Sequence, residues 1–325
     1  MEEVLELIRL ISRNKIKQLG WADPKGSRSH SPQDGQIQRL YDGVTKGILE
    51  NEGDVATFFY RNSARKLQYA RRLIQKLRAR LLNTLFYIDL NQPKFNDAQR
   101  AYYQSHKDYA LCKILIGHDL VAPFISQAEE TLKNTLHFGF PYLSMELARN
   151  LMTNYGLSGI DNKRALHYKS LMFQQLEFYQ AEIKTEVYFQ EFAVHFSKSR
   201  SSKPEIAKIA KQYAEEVEEY FKHFQTYRLV LNGYSVLSMR FQIENDYENT
   251  IVVSRRALDV IENDATLNTK TALLIFSFNI LQSCIQLRRF EEGEQAAQKC
   301  LKLVPEGTNN WFCFRAPPHA SISYK

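Results

Sequence analysis

The chain has 325 residues, of which only 13 are Gly and 9 are Pro, well under the ~12% these two make up in average proteins. Its 44% hydrophobic and 24% charged residues and its net charge of +7 describe an ordinary globular composition, long enough for two cores or one extended array. Stretches without Gly or Pro, such as 234–292, leave no turn residues for a sheet protein, which excludes barrels, sandwiches and βαβ folds.

The chain starts Met1-Glu2-Glu3, with acids where a secretory signal has a basic segment. No window approaches 18 uncharged apolar residues, and a cytoplasmic location is expected. Cys112, Cys284, Cys300 and Cys313 form no CxxC pair, and the eight histidines supply no zinc spacing. No metal and no cofactor are expected.

In chain order, Val4, Leu7, Ile8, Ile11 and Ile16 fall at helical spacing and predict a helix over about 2–19. The polar run 23–32 reads as a loop, and a short helix is expected at about 36–50. Asp54 is a candidate N-cap for one long helix reaching about Asp89. Its stripe is Leu67, Ala70, Ile74, Leu77, Leu81, Leu85 and Ile88. Pro93 ends it, and further helices are predicted over about 94–116, 119–138 and 141–155. Asp161 or Asn162 can cap a helix reaching Ser197, with a stripe of Ala165, Tyr168, Met172, Leu176, Tyr179, Ile183 and Val187. After a polar break at 197–203, Pro204 suits the first position of another helix. Nothing alternates with period two. The fold class is all-α.

The most specific pattern is Phe290-x2-Gly293-x6-Cys300-x4-Pro305, with Trp311 six residues on. A second copy lies 43 residues upstream, where Tyr247, Thr250 and Ala257 match Phe290, Gly293 and Cys300. Before them, Tyr234, Leu237, Ser238 and Phe241 match Ser277, Ile280, Leu281 and Cys284. Small residues at such positions let two helices approach closely. The pattern resembles the tetratricopeptide repeat (TPR), a helical hairpin of about 34 residues. The longer period here places the extra residues within 263–271 and makes the copies degenerate. The resemblance is clearest over 230–314, and segment 119–155 is a weaker candidate.

The resemblance implies antiparallel helical hairpins stacked as an α-solenoid, with long helices in the N-terminal half. Two regions are expected, 1–160 with a basic helix at 55–88, and 161–325 ending in the repeats. Trp311 should open another hairpin, but Arg315-Ala316-Pro317-Pro318-His319 cannot continue a helix, so the natural protein is expected to extend further. In TPR-like units the first helices line a concave groove. By position these contribute Asn232, Ser235, Met239 and Gln242 from one copy and Phe278, Asn279, Gln282 and Gln286 from the other. Such a polar, amide-rich surface suits an extended peptide or protein segment. The Lys/Arg clamp of chaperone-binding TPR domains is missing, which argues against a C-terminal carboxylate ligand.

Between Val55 and Ile88 stand eight basic residues and no acid. On one continuous helix Arg61, Arg65, Arg72 and Lys76 share the face opposite the apolar stripe, with Tyr69, a candidate surface for phosphates. A solvated helix back is the plainer reading of the same charge run. Phosphate loops, GxSxG, HExxH and kinase signatures are all missing from the sequence. His118-Asp119 reads as a helix end and the next cap rather than an acid–base pair, and Glu215-Glu216-x-Glu218-Glu219 as an acidic helix surface. The expected role is therefore non-catalytic, a scaffold or sensor for a peptide or protein partner, with nucleic-acid association through the basic helix as the alternative.

Overall fold

The structure, a computed structural model, describes residues 1–14, 32–92, 95–157, 161–198 and 204–304. Residues 15–19 of the expected first helix, with Ile16, residues 23–31 of the expected loop at 23–32, residues 199–203 of the expected break at 197–203, the repeat-closing Pro305 and Trp311, and the segment 312–325 lie outside the described residues. All regular structure among the described residues is helical, so the all-α reading holds. None of the described helices is long and apolar enough to cross a membrane. The chain forms two compact units, Met1–Phe95 and Asn96–Lys325. The boundary expected at 160 falls instead inside the second unit, where the helices on either side of it pack against each other.

In the first unit α1 (Glu2–Arg13), α2 (Pro32–Thr45), α3 (Glu52–Tyr60) and α4 (Lys66–Thr84) surround one core, with a 3-10 turn at Leu85–Tyr87. Val4, Ile8 and Ile11 meet Ile37, Leu40, Val55, Leu77 and Leu81 there. The single long helix expected from Asp54 to Asp89 is two helices. The interruption is local: the Ser63 hydroxyl accepts from the Arg65 N–H at 3.2 Å, and the Ser63 N–H turns back to the Tyr60 carbonyl. Short polar side chains compete with helical hydrogen bonds in this way. The predicted stripe begins only in α4, where Ala70, Ile74, Leu77 and Leu81 are buried and Leu67 is exposed, and α3 packs on that helix. The N-cap of α3 is Asn51, not Asp54. Asp54 is the third helical residue, and its carboxylate accepts from the Asn51 N–H in a capping box.

The second unit runs through α5 (Asp97–Gly117), α6 (Val121–His137), α7 (Pro141–Leu157), α8 (Asn162–Lys198) and α9 (Pro204–Phe221). It continues with α10 (Tyr227–Ile243), α11 (Tyr247–Asn263), α12 (Lys270–Gln286) and α13 (Phe290–Leu303). Neighbours in sequence pack as neighbours in space, and α8 also packs on α10. The hairpin turns close alike. Asp119, Gly139, Asn245 and Arg288 take left-handed backbone (φ 58°, 64°, 57° and 58°). In each, the next N–H reaches back to a carbonyl five residues earlier, as from Asp246 to Phe241 and from Arg289 to Cys284, both 2.8 Å. This is the Schellman closure that satisfies the last carbonyls of a helix. Asp119 is thus the turn residue rather than the next cap.

The 43-residue repeat is visible in the backbone. Helices α10 and α12 begin and end at corresponding positions, Tyr227 with Lys270 and Ile243 with Gln286. The N-caps Thr226 and Thr269 correspond too, each accepting from the third helical N–H. Thr250, Gly293, Ala257 and Cys300 are all buried where paired helices touch. The extra residues form the connection 264–269, pinned by the Asp264 carboxylate, which accepts from both the N–H and the hydroxyl of Thr266. Cys284 and Cys300 act as small apolar residues, and burial pushes both thiols up to about 11.

The long helix α8 departs from its expected stripe. Ile183 and Val187 are exposed, whereas Ala181, Glu182, Thr185 and Phe192 are buried. Tyr168 and Tyr179 meet Tyr155 and Tyr142 of α7, but Phe178 stacks on Phe224 ahead of α10 and Tyr188 on Tyr213 of α9. A helix with different neighbours along its length has no single buried stripe.

Candidate functional site

The expected groove residues are partly exposed and partly used by the fold. On α12, Phe278, Gln282 and Gln286 are exposed and Asn279 is half-buried. On α10, Asn232, Met239 and Gln242 are half-buried. Ser235 is 6% exposed and its hydroxyl donates to the Leu231 carbonyl at 2.7 Å, so it is withdrawn from the groove. The difference has a packing cause. Helix α10 is covered by α8 and α9, whereas α12 packs only on α11 and α13 among the described helices with close contacts.

The four basic residues do not share one helix face. Arg61 and Arg65 stand in the interruption between α3 and α4, and Arg72 and Lys76 on the exposed back of α4. Two other members of the run pair with acids of the same unit, Arg71 with Glu52 and Arg78 with Glu3, both at 2.7 Å. Arg65, Lys66, Arg71 and Arg72 line a shallow depression.

Sequence reasoning missed the most built feature of the second unit. A cavity of about 420 Å³ opens between α5, the α6–α7 turn, α8, the start of α10 and the α11–α12 connection. Tyr102 and His106, one helical turn apart on α5, form one wall, with ring centroids 4.3 Å apart. The left-handed Gly139 lets α6 end and Pro141 begin α7, which delivers Phe138, Phe140 and Tyr142 to the cavity. Phe140 meets Tyr102 edge-on at 5.5 Å, and Tyr142 meets Tyr179 of α8 at 5.3 Å. Tyr227 and Thr269 close the far side, hydroxyl to hydroxyl at 3.1 Å.

Two charged groups face this aromatic space. Glu182, three residues beyond Tyr179, is 4% exposed, and its Oε1 accepts the Thr226 hydroxyl. Burial pushes its carboxyl up to about 7, although the Thr226 hydrogen bond and the positive charge of Arg228 pull the other way and Glu186 adds to the rise. Arg228 stands at the start of α10, exposed, without an ion pair to Glu182. The His106 ring donates from Nδ1 to the Tyr102 carbonyl at 2.8 Å. That bond leaves Nε2 of the neutral ring as an acceptor.

The cavity and the expected groove are continuous in register. Arg228, Asn232, Ser235, Met239 and Gln242 follow one another at steps of three and four along one face of α10. The position corresponding to Arg228 in α12 is Thr271, which also lines the cavity and begins the run to Phe278 and Gln282. Both faces thus begin, at the N-terminal ends of α10 and α12, with a residue that lines the aromatic cavity.

No family model, no curated protein and no solved structure matches the chain.

Proposed function

We propose that this protein is a non-catalytic scaffold of TPR-like hairpins that binds an extended peptide or protein segment. The segment lies along α10 and α12 and anchors one side chain in the cavity beside Tyr142 and Tyr179. The observation that carries this reading is the shared register. Arg228 and Thr271 belong both to the cavity and to the faces that present Gln242, Phe278 and Gln282. The half-exposed amides can hydrogen-bond a backbone, while the aromatic cavity supplies a pocket for an anchor, the combination on which segment recognition rests.

The test is selection of binders from a random peptide library on the full chain, followed by affinity measurement on two variants. Gln282→Arg places bulk and charge on the exposed face of α12, and Tyr142→Ala removes one wall of the cavity. Both should weaken selected peptides about tenfold or more, as truncation of an interface anchor does. Peptides that bind both variants as well as the parent would contradict the reading.

A second reading rests on the first unit, where Arg65, Lys66, Arg71 and Arg72 line one depression on a surface rich in arginine. Association with nucleic acid through this surface would weaken steeply with salt, because binding releases counterions. Changing Arg61, Arg65, Arg72 and Lys76 together to Gln should then lower both the affinity for duplex DNA or RNA and its salt slope. Equal retention of parent and variant on heparin across a salt gradient would dismiss it.

A further inference from the structure

The cavity resolves further, and the inference rests on the peptide-binding reading. Its walls present the faces and edges of Tyr102, Phe140, Tyr142 and Tyr179, and aromatic faces attract cations through their quadrupoles. Among its lining residues is a carboxylate that is almost wholly buried, Glu182. Oε1 of Glu182 is engaged by Thr226, and Oε2 makes no hydrogen bond among the described residues but keeps accessible surface, so a ligand in the cavity can reach it. A carboxylate that is almost wholly enclosed, with one oxygen still reachable, is a strong acceptor for a donor that carries positive charge.

We propose that the cavity takes a lysine side chain of the bound segment, its ammonium donating to Oε2 of Glu182 against the rings of Tyr142 and Tyr179. Lysine fits better than arginine because only one oxygen is open. A guanidinium gains most from a bidentate pair with both carboxylate oxygens, whereas an ammonium acts as a point charge on one. The apolar stem of lysine also suits an aromatic wall. The ligand must meet an ionised Glu182, so binding should release a proton and strengthen as pH rises from about 6 to about 8. The charged groups acting on Glu182 are Arg228 on α10 and Glu186 on α8 itself, and His106 lines the same cavity from α5.

The experiment uses fluorescein-labelled peptide pools with degenerate flanks and a fixed central lysine, norleucine, arginine or glutamate, titrated with the full chain by anisotropy. A parallel arm follows the pocket tyrosine ring resonances by NMR while n-butylammonium or butyrate is added. The lysine pool should bind about tenfold or more tightly than the norleucine pool, the size of a desolvated cation–π and charge contact. Glu182→Gln, which keeps an acceptor for Thr226, should abolish that preference without changing the circular dichroism spectrum. Equal binding of the lysine and norleucine pools overturns the cation site and leaves the peptide reading standing. A preference for the glutamate pool, or a lysine preference that survives Glu182→Gln, also overturns it. If no pool binds but n-butylammonium shifts the tyrosine resonances in a Glu182-dependent way, the cation site stands and the peptide reading falls. If neither binds, both fall.

Discussion

The Thr226 hydroxyl joins two roles: it accepts the Leu229 N–H at 3.3 Å as the N-cap of α10 and donates to the buried carboxylate of Glu182 on α8. A hydroxyl can do both because it carries one donor and two lone pairs. Thr226→Val keeps the shape but removes both bonds, orphaning a helix N–H and a buried carboxylate. Denaturant unfolding should show a loss of roughly 2–3 kcal/mol, and Thr226→Ser should recover most of it. A valine variant as stable as the parent would remove the link between cap and cavity.

Glu182 also sets a pH signature. Its folded-state carboxyl is pushed up to about 7 from an ordinary 4.5, so between those values the folded chain holds a proton that the unfolded chain has lost. Its contribution to stability is present in full below pH 4.5 and is lost as pH rises to about 7, by on the order of 3 kcal/mol. Glu216 has the opposite sign. Burial raises it, but hydrogen bonds from Lys184, Tyr188 and Tyr220 together hold it at about 2. Its contribution is present above 4.5 and fades toward pH 2, reduced by solvent screening because the side chain is 35% exposed. Urea midpoints from pH 5 to 7.5 should fall for the parent and flatten in Glu182→Gln. An unchanged slope in the variant would place the titration elsewhere.

Arg288 carries a backbone cost that its counterpart avoids. Its φ of 58° matches that of Asn245, but asparagine tolerates the left-handed region and arginine does not. Arg288→Gly should therefore stabilise by about 1 kcal/mol, read as a raised melting temperature. A lowered one would mean that the arginine side chain contributes more than the turn costs.

The close helix seams give a prediction of the other sign. A Cβ on Gly233 would lie 2.7 Å from Cζ of Phe221 and 3.0 Å from Cγ1 of Val217, and Gly293 is a buried residue of α13, which packs on α12. Leucine at either position should destabilise by roughly 1–3 kcal/mol through overpacking. Unchanged melting of Gly293→Leu would weaken the hairpin geometry most directly.

Much of the second unit is legible in the sequence because its repeats are local. The 43-residue spacing, the small residues Thr250, Gly293, Ala257 and Cys300, and the inserted connection all act within adjacent helices. The split between α3 and α4 was hidden because no Gly or Pro marks it, and the signal lay in the polar pair Asn62-Ser63. The cavity was hidden for a different reason. Tyr102, Phe140, Glu182, Arg228 and Thr271 come from five parts of the chain, and no local period brings them together.

The central claim is that the groove of α10 and α12 and the aromatic cavity bind one segment together. Amide hydrogen exchange of the full chain, with and without a selected peptide, tests it in one measurement. The account predicts added protection at 139–143, 179–182, 226–232 and 269–286, with residues 64–75 of the first unit unchanged. Protection confined to 64–75, or none along α12, would contradict it.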